Sequence, residues 1–388
     1  MTKVDDLRSI GRLMLNAPLV DEAMVRLGLN QAALADACGV SREAVSKWFA
    51  GDSIPRPAKV RALAAALGLS IDKLVVREGA EPVVAYRTHL REPLTGKAKA
   101  KAQEMGRHFR QLQPFVEGSR LFSQRFLKEP AVDDGYVHRA VNTLRTSLNL
   151  GPAESPSMEQ LIELIIDTGA FIVPVIWGKE KVGHENALTV YLPESQSTWV
   201  VLSLSAGQDD FKYWLAHELG HCLSLHKLAD DAGEQFAERF AQLFVFPDAL
   251  AEQCLAAMRS STNPLEEASY FAGRHGVSVV TAVKSADRIA ADRGEALTGV
   301  ATESFYEEWN RNRPNRPTVA AQLFESDAPG VEIFVERASA VFRTEVFDAI
   351  GRLQKAQGGH SPAFVGTLLN VDLSQALELS VYLSKRQA

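Results

Sequence analysis

Two histidines four residues apart with a glutamate between them, His217-Glu218-Leu219-Gly220-His221, constrain this chain more than any other feature. On a helix, residues i and i+4 share a face, so both imidazoles can look at one point with Glu218 on the adjoining face. Two neutral imidazoles so placed suit a zinc ion, and a neighbouring carboxylate can take a proton from the attacking water. The preceding run, residues 211–216, is apolar and helix-compatible, which predicts a helix buried along one side of a cleft. The bland alternative is a half-buried helix with two satisfied histidines.

A catalytic zinc site needs a third protein ligand and an open fourth position. His226 lies five residues past His221, one short of the three-histidine arrangement, and Ser224 stands where that arrangement needs a helix-breaking glycine. Asp230 and Asp231 sit beside Gly233 and read as turn or capping residues. Glu234 is favoured. It opens a stretch in which Phe236, Ala237, Phe240, Ala241 and Phe244 recur at helical spacing. That helix places Glu234 and Glu238 one turn apart on one face, while Ala237 and Ala241 allow close approach to the first helix. Glu238 is then placed to accept an N–H from a ligand histidine and orient it.

These strings resemble the ImmA/IrrE-type zinc metallopeptidases: Leu215-Ala216-His217-Glu218-Leu219-Gly220-His221, then Glu234, Ala237, Glu238, Phe240 and Ala241, then Pro247. Upstream, Ala140, Leu144, Arg145 and Leu148, followed by Leu161, Gly169 and Val173, are similar to the family's first helix and strand. The likeness covers about residues 130–290. Family members usually carry Asn or Asp where this chain has Glu238. The resemblance implies a small mixed sheet packed on the active-site helix, with one sheet edge taking substrate as an added strand. It also implies Glu218 as the catalytic base, His217, His221 and Glu234 as ligands of Zn²⁺, and a repressor- or antitoxin-like protein as substrate. Tyr213, Tyr270 and His275 are conceivable donors to the reacting carbonyl oxygen, and the sequence does not choose among them.

The second informative region runs from Asn30 to Trp48 and reads as two short helices joined at Gly39. Asn30 can cap the first and Ser41 the second, with Glu43 favouring the latter's N-terminus. Leu34, Ala35, Val40, Val45 and Trp48 are expected to form their shared apolar seam. A turn at residues 51–57 precedes a helix through Val60, Leu63, Ala64 and Leu67. Residues 23–76 closely resemble the Xre/Cro-type helix-turn-helix domain. That resemblance sets Gln31, Ser41, Arg42, Ser46 and Lys47 toward double-stranded DNA, an inverted-repeat operator bound by a homodimer. A module that holds a protein partner is the alternative.

At 388 residues and 46% hydrophobic content, the chain can build two or three cores. Its formal net charge of −6 argues against indiscriminate coating of DNA, so any contact is local. The three cysteines, Cys38, Cys222 and Cys254, provide no disulfide framework and suit a reducing, cytoplasmic setting. Cys222 projects about 100° from His221 on a helix and reads as a buried structural thiol. No apolar run approaches membrane-spanning length.

The predicted fold is mainly α with a small mixed β-sheet. Residues 1–76 form an all-α helix-turn-helix domain, and 77–130 a helical connector holding a helix from about Lys97 to Leu112. Residues 131–296 form an α+β zincin-like peptidase domain with strands near 171–176, 188–192 and 198–204. Residues 297–388 form a mostly helical region for sensing, oligomerisation or docking. In the connector, Phe109, Phe115, Leu121, Phe122 and Phe126 need burial; its basic residues read as a solvated face. The favoured function is a DNA-binding regulator with zinc endopeptidase activity, in stress response, phage defence or mobile-element control. Two alternatives stand beside it: a regulator whose peptidase-like domain binds metal or ligand without cleaving, and the peptidase component of a toxin–antitoxin pair.

Overall fold

Capping explains where the first helices begin and end. In the computed structural model, which describes residues 12–49, 53, 55–69, 74–78, 81–86, 96–116, 125–176, 187–312, 315–356 and 362–386, the chain divides into two compact units. One comprises Met1–Pro82 with Leu192–Ser197; the other comprises Val83–Tyr191 with Thr198–Ala388. Parts of the expected turn (51, 52 and 54), residues 70–73, Leu121, Phe122 and the stretch 358–361 lie outside the described residues.

The first unit holds strand β1 (Arg12–Leu15), helices α1 (Ala17–Leu27), α2 (Gln31–Cys38), α3 (Arg42–Phe49) and α4 (Pro57–Leu67), and strand β2 (Val75–Glu78). Asn30 Oδ1 accepts from the Ala33 N–H at 2.9 Å, and Ser41 Oγ accepts from the Ala44 N–H at 3.2 Å, so both expected caps form. Gly39 ends α2 at φ 59°, a left-handed conformation that glycine adopts without a Cβ penalty. The Lys59 ammonium donates to the Cys38 and Gly39 carbonyls at 2.9 and 3.0 Å, satisfying acceptors that the helix end leaves open. Leu34, Ala35, Cys38, Val45, Trp48 and Leu63 form the core, with Val40 packed at its margin. An antiparallel β1–β2 pair, which periodicity did not announce, is added to the helices.

The second unit is built on a sheet of order β3-β5-β6-β4: β3 (Val83–Tyr86), β4 (Phe171–Val175), β5 (Ala187–Leu192) and β6 (Ser197–Ser203). β3 runs antiparallel to β5, and β4 parallel to β6. Every residue of β4, β5 and β6 is buried, so helices must cover both faces. Phe109 of α5 (Gly96–Leu112) stacks on Trp199 at 4.8 Å, and Trp199 on Phe171 at 4.6 Å. Pro174 fits because β4 is an edge strand and needs no donor on its outer side. Thr344 Oγ1 donates to the Ile172 carbonyl at 2.5 Å, so the C-terminal region caps that edge.

Helices α6 (Asp134–Ser147), α7 (Met158–Asp167), α8 (Gln208–Ser224), α9 (Asp230–Val245), α10 (Asp248–Ser260), α11 (Pro264–His275) and α12 (Val279–Asp292) follow. Helix α9 begins at Asp230, four residues before the expected start, with both aspartates in its first turn, where the helix dipole favours them. Its Phe236, Phe240 and Phe244 are fully buried in a stacked ladder. Each such side chain contributes about 2–3 kcal/mol of burial. Arg145 of α6 is buried and its guanidinium donates to the carbonyls of Phe244, Gly151 and Glu154 at 2.9, 2.6 and 2.7 Å. It thereby ties α6 to the end of α9.

The remaining helices are α13 (Glu303–Asn312), α14 (Val319–Phe324), α15 (Val331–Phe342), α16 (Val346–Ala356), α17 (Pro362–Leu369) and α18 (Leu373–Arg386). Residues 331–335 begin helix α15. Turns separate α15 from α16 and α17 from α18. Arg343 and Asn370 adopt φ 46° and 50°, and Asp372 Oδ1 accepts from the Gln375 N–H to start the last helix. Among the described residues, no helix is long and apolar enough to cross a membrane.

Candidate functional site

Helix α8 carries His217, Glu218 and His221, all buried, and α9 brings Glu234 against them. The two Nε2 atoms lie 3.1 Å apart. Glu234 Oε2 is 3.4 Å from His217 Nε2, and Oε1 is 3.2 Å from His221 Nε2. Ligand atoms of these three residues all fall within 4.8 Å of one another, a spacing that one ion can bridge. Burial alone would raise the Glu234 carboxyl, but the two imidazoles, His221 foremost, outweigh it and hold the group well below the usual carboxylate range.

Close helix contact creates this meeting point. A Cβ on Gly220 would lie 2.9 Å from the Ala237 Cα, nearer than real side chains approach backbone. Glycine at this position, opposite alanine, lets the two helix axes come near enough for Glu234 to reach both imidazoles. Glu218 points elsewhere. Its Oε2 accepts from the Thr189 Oγ1 hydroxyl of β5 at 2.5 Å, both residues being buried. Thr189 was not foreseen, because a threonine within an apolar strand carries no signal of what lies across the helix–sheet gap.

The rejected ligand candidates have other roles. His226 stacks on Phe126 at 4.5 Å, and burial followed by the charge of Lys227 pushes its imidazole pKa down. Cys222 is buried and its thiol is pushed far up, chiefly by desolvation, so it is inert as a nucleophile. Burial likewise pushes Cys254 up to about 12. Glu238 lies half-buried one turn beyond Glu234, in the wall of a cavity of about 560 Å³ that also includes Tyr213, Trp214, Arg239 and Lys284. The rings of Tyr213 and Trp214 pack against His217 with centroids 6.4 and 5.6 Å away. Of the three candidate carbonyl-oxygen donors, Tyr213 is thus beside the centre. Tyr270 is exposed and takes a hydrogen bond from Arg274, and His275 packs against Phe246 and Phe271.

In the first unit, the outward side of α3 presents Arg42, Ser46 and Lys47, all exposed, while Val45 and Trp48 face the core. Lys47 pairs with Glu43 at 2.9 Å, and the Lys47 ammonium lowers the Glu43 carboxyl pKa by hydrogen bond and charge. Ser41 spends its hydroxyl as the cap acceptor for Ala44. Gln31, half-buried, is the first residue of α2. These five residues therefore lie on or at the starts of the two helices expected to meet DNA.

Residues 20–74 of this unit match the family model described as Helix-turn-helix. That match ends before the second unit. Comparison of the whole chain with curated proteins returns no match. Among solved structures, the crystal structure of Bacillus thuringiensis PlcR in complex with the peptide PapR7 and DNA aligns over 95% of this chain and 94% of that one. Identity there is 11% and the TM-score 0.16, too low for the likeness to carry any argument.

Proposed function

We propose that this protein is a DNA-binding regulator with a zinc-dependent endopeptidase centre, similar to the ImmA/IrrE-type metallopeptidases. Its substrate on this reading is a repressor- or antitoxin-like protein, in stress response, phage defence or mobile-element control. The observation that carries the reading is the convergence of His217, His221 and Glu234, with a buried carboxylate, Glu218, on the next face of the same helix. Two imidazole nitrogens and a carboxylate oxygen are a donor set that zinc favours. Zinc, when bound, supplies Lewis-acid polarisation of a peptide carbonyl and makes water acidic enough to ionise near neutral pH. Glu218 takes the proton from the attacking water and passes it to the leaving nitrogen, while Thr189 holds the carboxylate in place. Arg42, Ser46 and Lys47 meet the operator, and a homodimer spans an inverted repeat.

Elemental analysis tests the metal: one zinc per chain is expected, lost in Glu234→Ala and kept in His226→Ala. Glu218→Gln separates enzyme from regulator, because it keeps size and hydrogen bonding but removes the base. Zinc and DNA binding should survive that change while cleavage of co-expressed candidate substrates stops. Zinc bound by the wild type without any cleavage would favour a regulator that uses the centre only for binding.

A further inference from the structure

Between α8, α9, the start of α12 and α13 lies a cavity of about 560 Å³, a volume that suits a small molecule. Its aromatic border comes from two helices. Helix α13 (Glu303–Asn312) carries Phe305, Tyr306 and Trp309, yet none of its residues is buried. A helix ordinarily hides such rings against a core. Here Tyr306 and Trp309 line the cavity from α13, and Tyr213 and Trp214 line it from α8. The Arg316 guanidinium lies over the Trp309 ring, 3.0 Å from its centroid, and takes no part in the lining. The opposite face of Trp309 is the one left to the cavity.

Polar groups complete the lining. Asp210 and Glu238 are balanced by Arg239 and Lys284, so the cavity wall has no net formal charge. Arg239 is also paired with Asp134, and the Lys284 ammonium sits 5.8 Å from the centroid of the Tyr306 ring. The side-chain amides of Gln235, Gln242 and Asn310 border the same space. Each offers donors and an acceptor, and among the described residues none of the three is engaged in a side-chain hydrogen bond. We propose that the cavity binds a planar heteroaromatic ligand without net charge, of nucleoside size. Ring faces on α8 and α13 stack on the ligand, and the amides match the donors and acceptors along its edge. A wall of balanced charge gives neither an anion nor a cation an advantage, so stacking and hydrogen bonding select. Trp214 and Glu238 each lie one turn from a residue of the histidine–glutamate cluster, but the site uses none of that cluster. The inference therefore stands apart from the peptidase reading.

The test titrates full-length protein, with excess chelator, against adenosine, guanosine, cytidine and uridine by isothermal calorimetry. At least one nucleoside should bind with a dissociation constant below about 1 mM. Trp309→Ala and Tyr306→Ala should each weaken that binding at least about fivefold, while Trp309→Phe, which keeps a ring, should lie nearer wild type. Neither residue is buried, so these variants should fold, which circular dichroism checks. Gln242→Leu should narrow the differences among the four bases. Tyr270→Ala, exposed on α11 and outside the lining, should leave affinity unchanged. No binding of any nucleoside by the folded wild type overturns the inference, as does equal binding by wild type, Trp309→Ala and Tyr306→Ala. A nucleoside monophosphate that binds more than about tenfold tighter than its nucleoside also overturns it, because the cavity would then select an anion. Chelator is present throughout, so neither result bears on the peptidase reading, which zinc content and the Glu218→Gln variant test separately.

Discussion

Gly220 of the histidine-bearing helix and Ala237 of the helix bearing Glu234 meet so closely that a Cβ on Gly220 would sit 2.9 Å from the Ala237 Cα. The contact governs how far Glu234 stands from both imidazoles. Gly220→Ala improves helix propensity by about 1 kcal/mol. The clash with backbone outweighs this, since overpacking costs roughly 1–3 kcal/mol and occasionally more. The expected result is a modestly less stable protein with weaker zinc binding, measured by urea denaturation and by competition with a chromophoric chelator. Unchanged zinc affinity would show that the helices part without moving Glu234.

Thr189 donates to a buried carboxylate, so its loss leaves an acceptor without that donor. Thr189→Val keeps the shape and removes the hydroxyl, and should cost about 1–3 kcal/mol at neutral pH. Thr189→Ser keeps the donor and should lie much closer to wild type. Urea denaturation of the three proteins checks the order. If Thr189→Val is as stable as wild type, the hydrogen bond contributes nothing; if Thr189→Ser is as destabilised as Thr189→Val, packing of the methyl group matters as much as the hydrogen bond.

On the DNA side, Arg42 and Lys59 should divide cleanly. Arg42 is exposed on the outward side of α3; Arg42→Ala should cost about 1–3 kcal/mol of binding if it reads a base edge, more on cognate than on scrambled DNA. Lys59 is instead committed to the Cys38 and Gly39 carbonyls. Lys59→Ala should lower the melting temperature of the first unit with little effect on DNA affinity. Titrations on both DNAs, with thermal melts, measure the two effects. Equal loss on both DNAs for Arg42→Ala would demote it to a phosphate contact.

Lys212 yields a pH signature. Burial pulls its ammonium down to about 8, with Glu159 pulling the other way, while Nζ donates to the His275 carbonyl and Ser155 Oγ. An unfolded lysine titrates near 10.4, so between about 8 and 10 the unfolded chain binds more protons than the folded one. Stability therefore gains from this group as pH rises through that window, and below it the buried charge is a standing cost. Lys212→Met should remove that contribution. Comparing wild type with Lys212→Met from pH 7.5 to 10.5 by urea denaturation isolates it; parallel curves would mean that the ammonium is solvated in the folded state.

Local chemistry alone made several features legible. The i, i+4 spacing of His217 and His221 required a shared helix face, and the apolar repeat after Glu234 required a second helix. The caps at Asn30 and Ser41 and the glycine at 39 delimited the helix-turn-helix core, because each satisfies backbone groups within four residues of itself. Where such signals were absent, helix ends slipped. Helix α9 starts at Asp230, and Arg343 and Asn370 break runs whose apolar periodicity continues across them.

What only the tertiary structure decided concerns groups far apart in the chain. Nothing in residues 185–195 announces that Thr189 meets Glu218, twenty-nine positions away. Nor does the short run Val83–Tyr86 declare that it pairs with β5 across a hundred residues of chain. Lys59, a surface cation by composition, is spent on a helix end. Sequence periodicity reports which face of an element is buried, because that follows from local geometry and hydrophobicity. It carries no information on which distant partner fills the other side of a hydrogen bond. That choice is settled by the packing of all elements together, and here it determines what touches the Glu218 carboxylate and which strand pairs with β5.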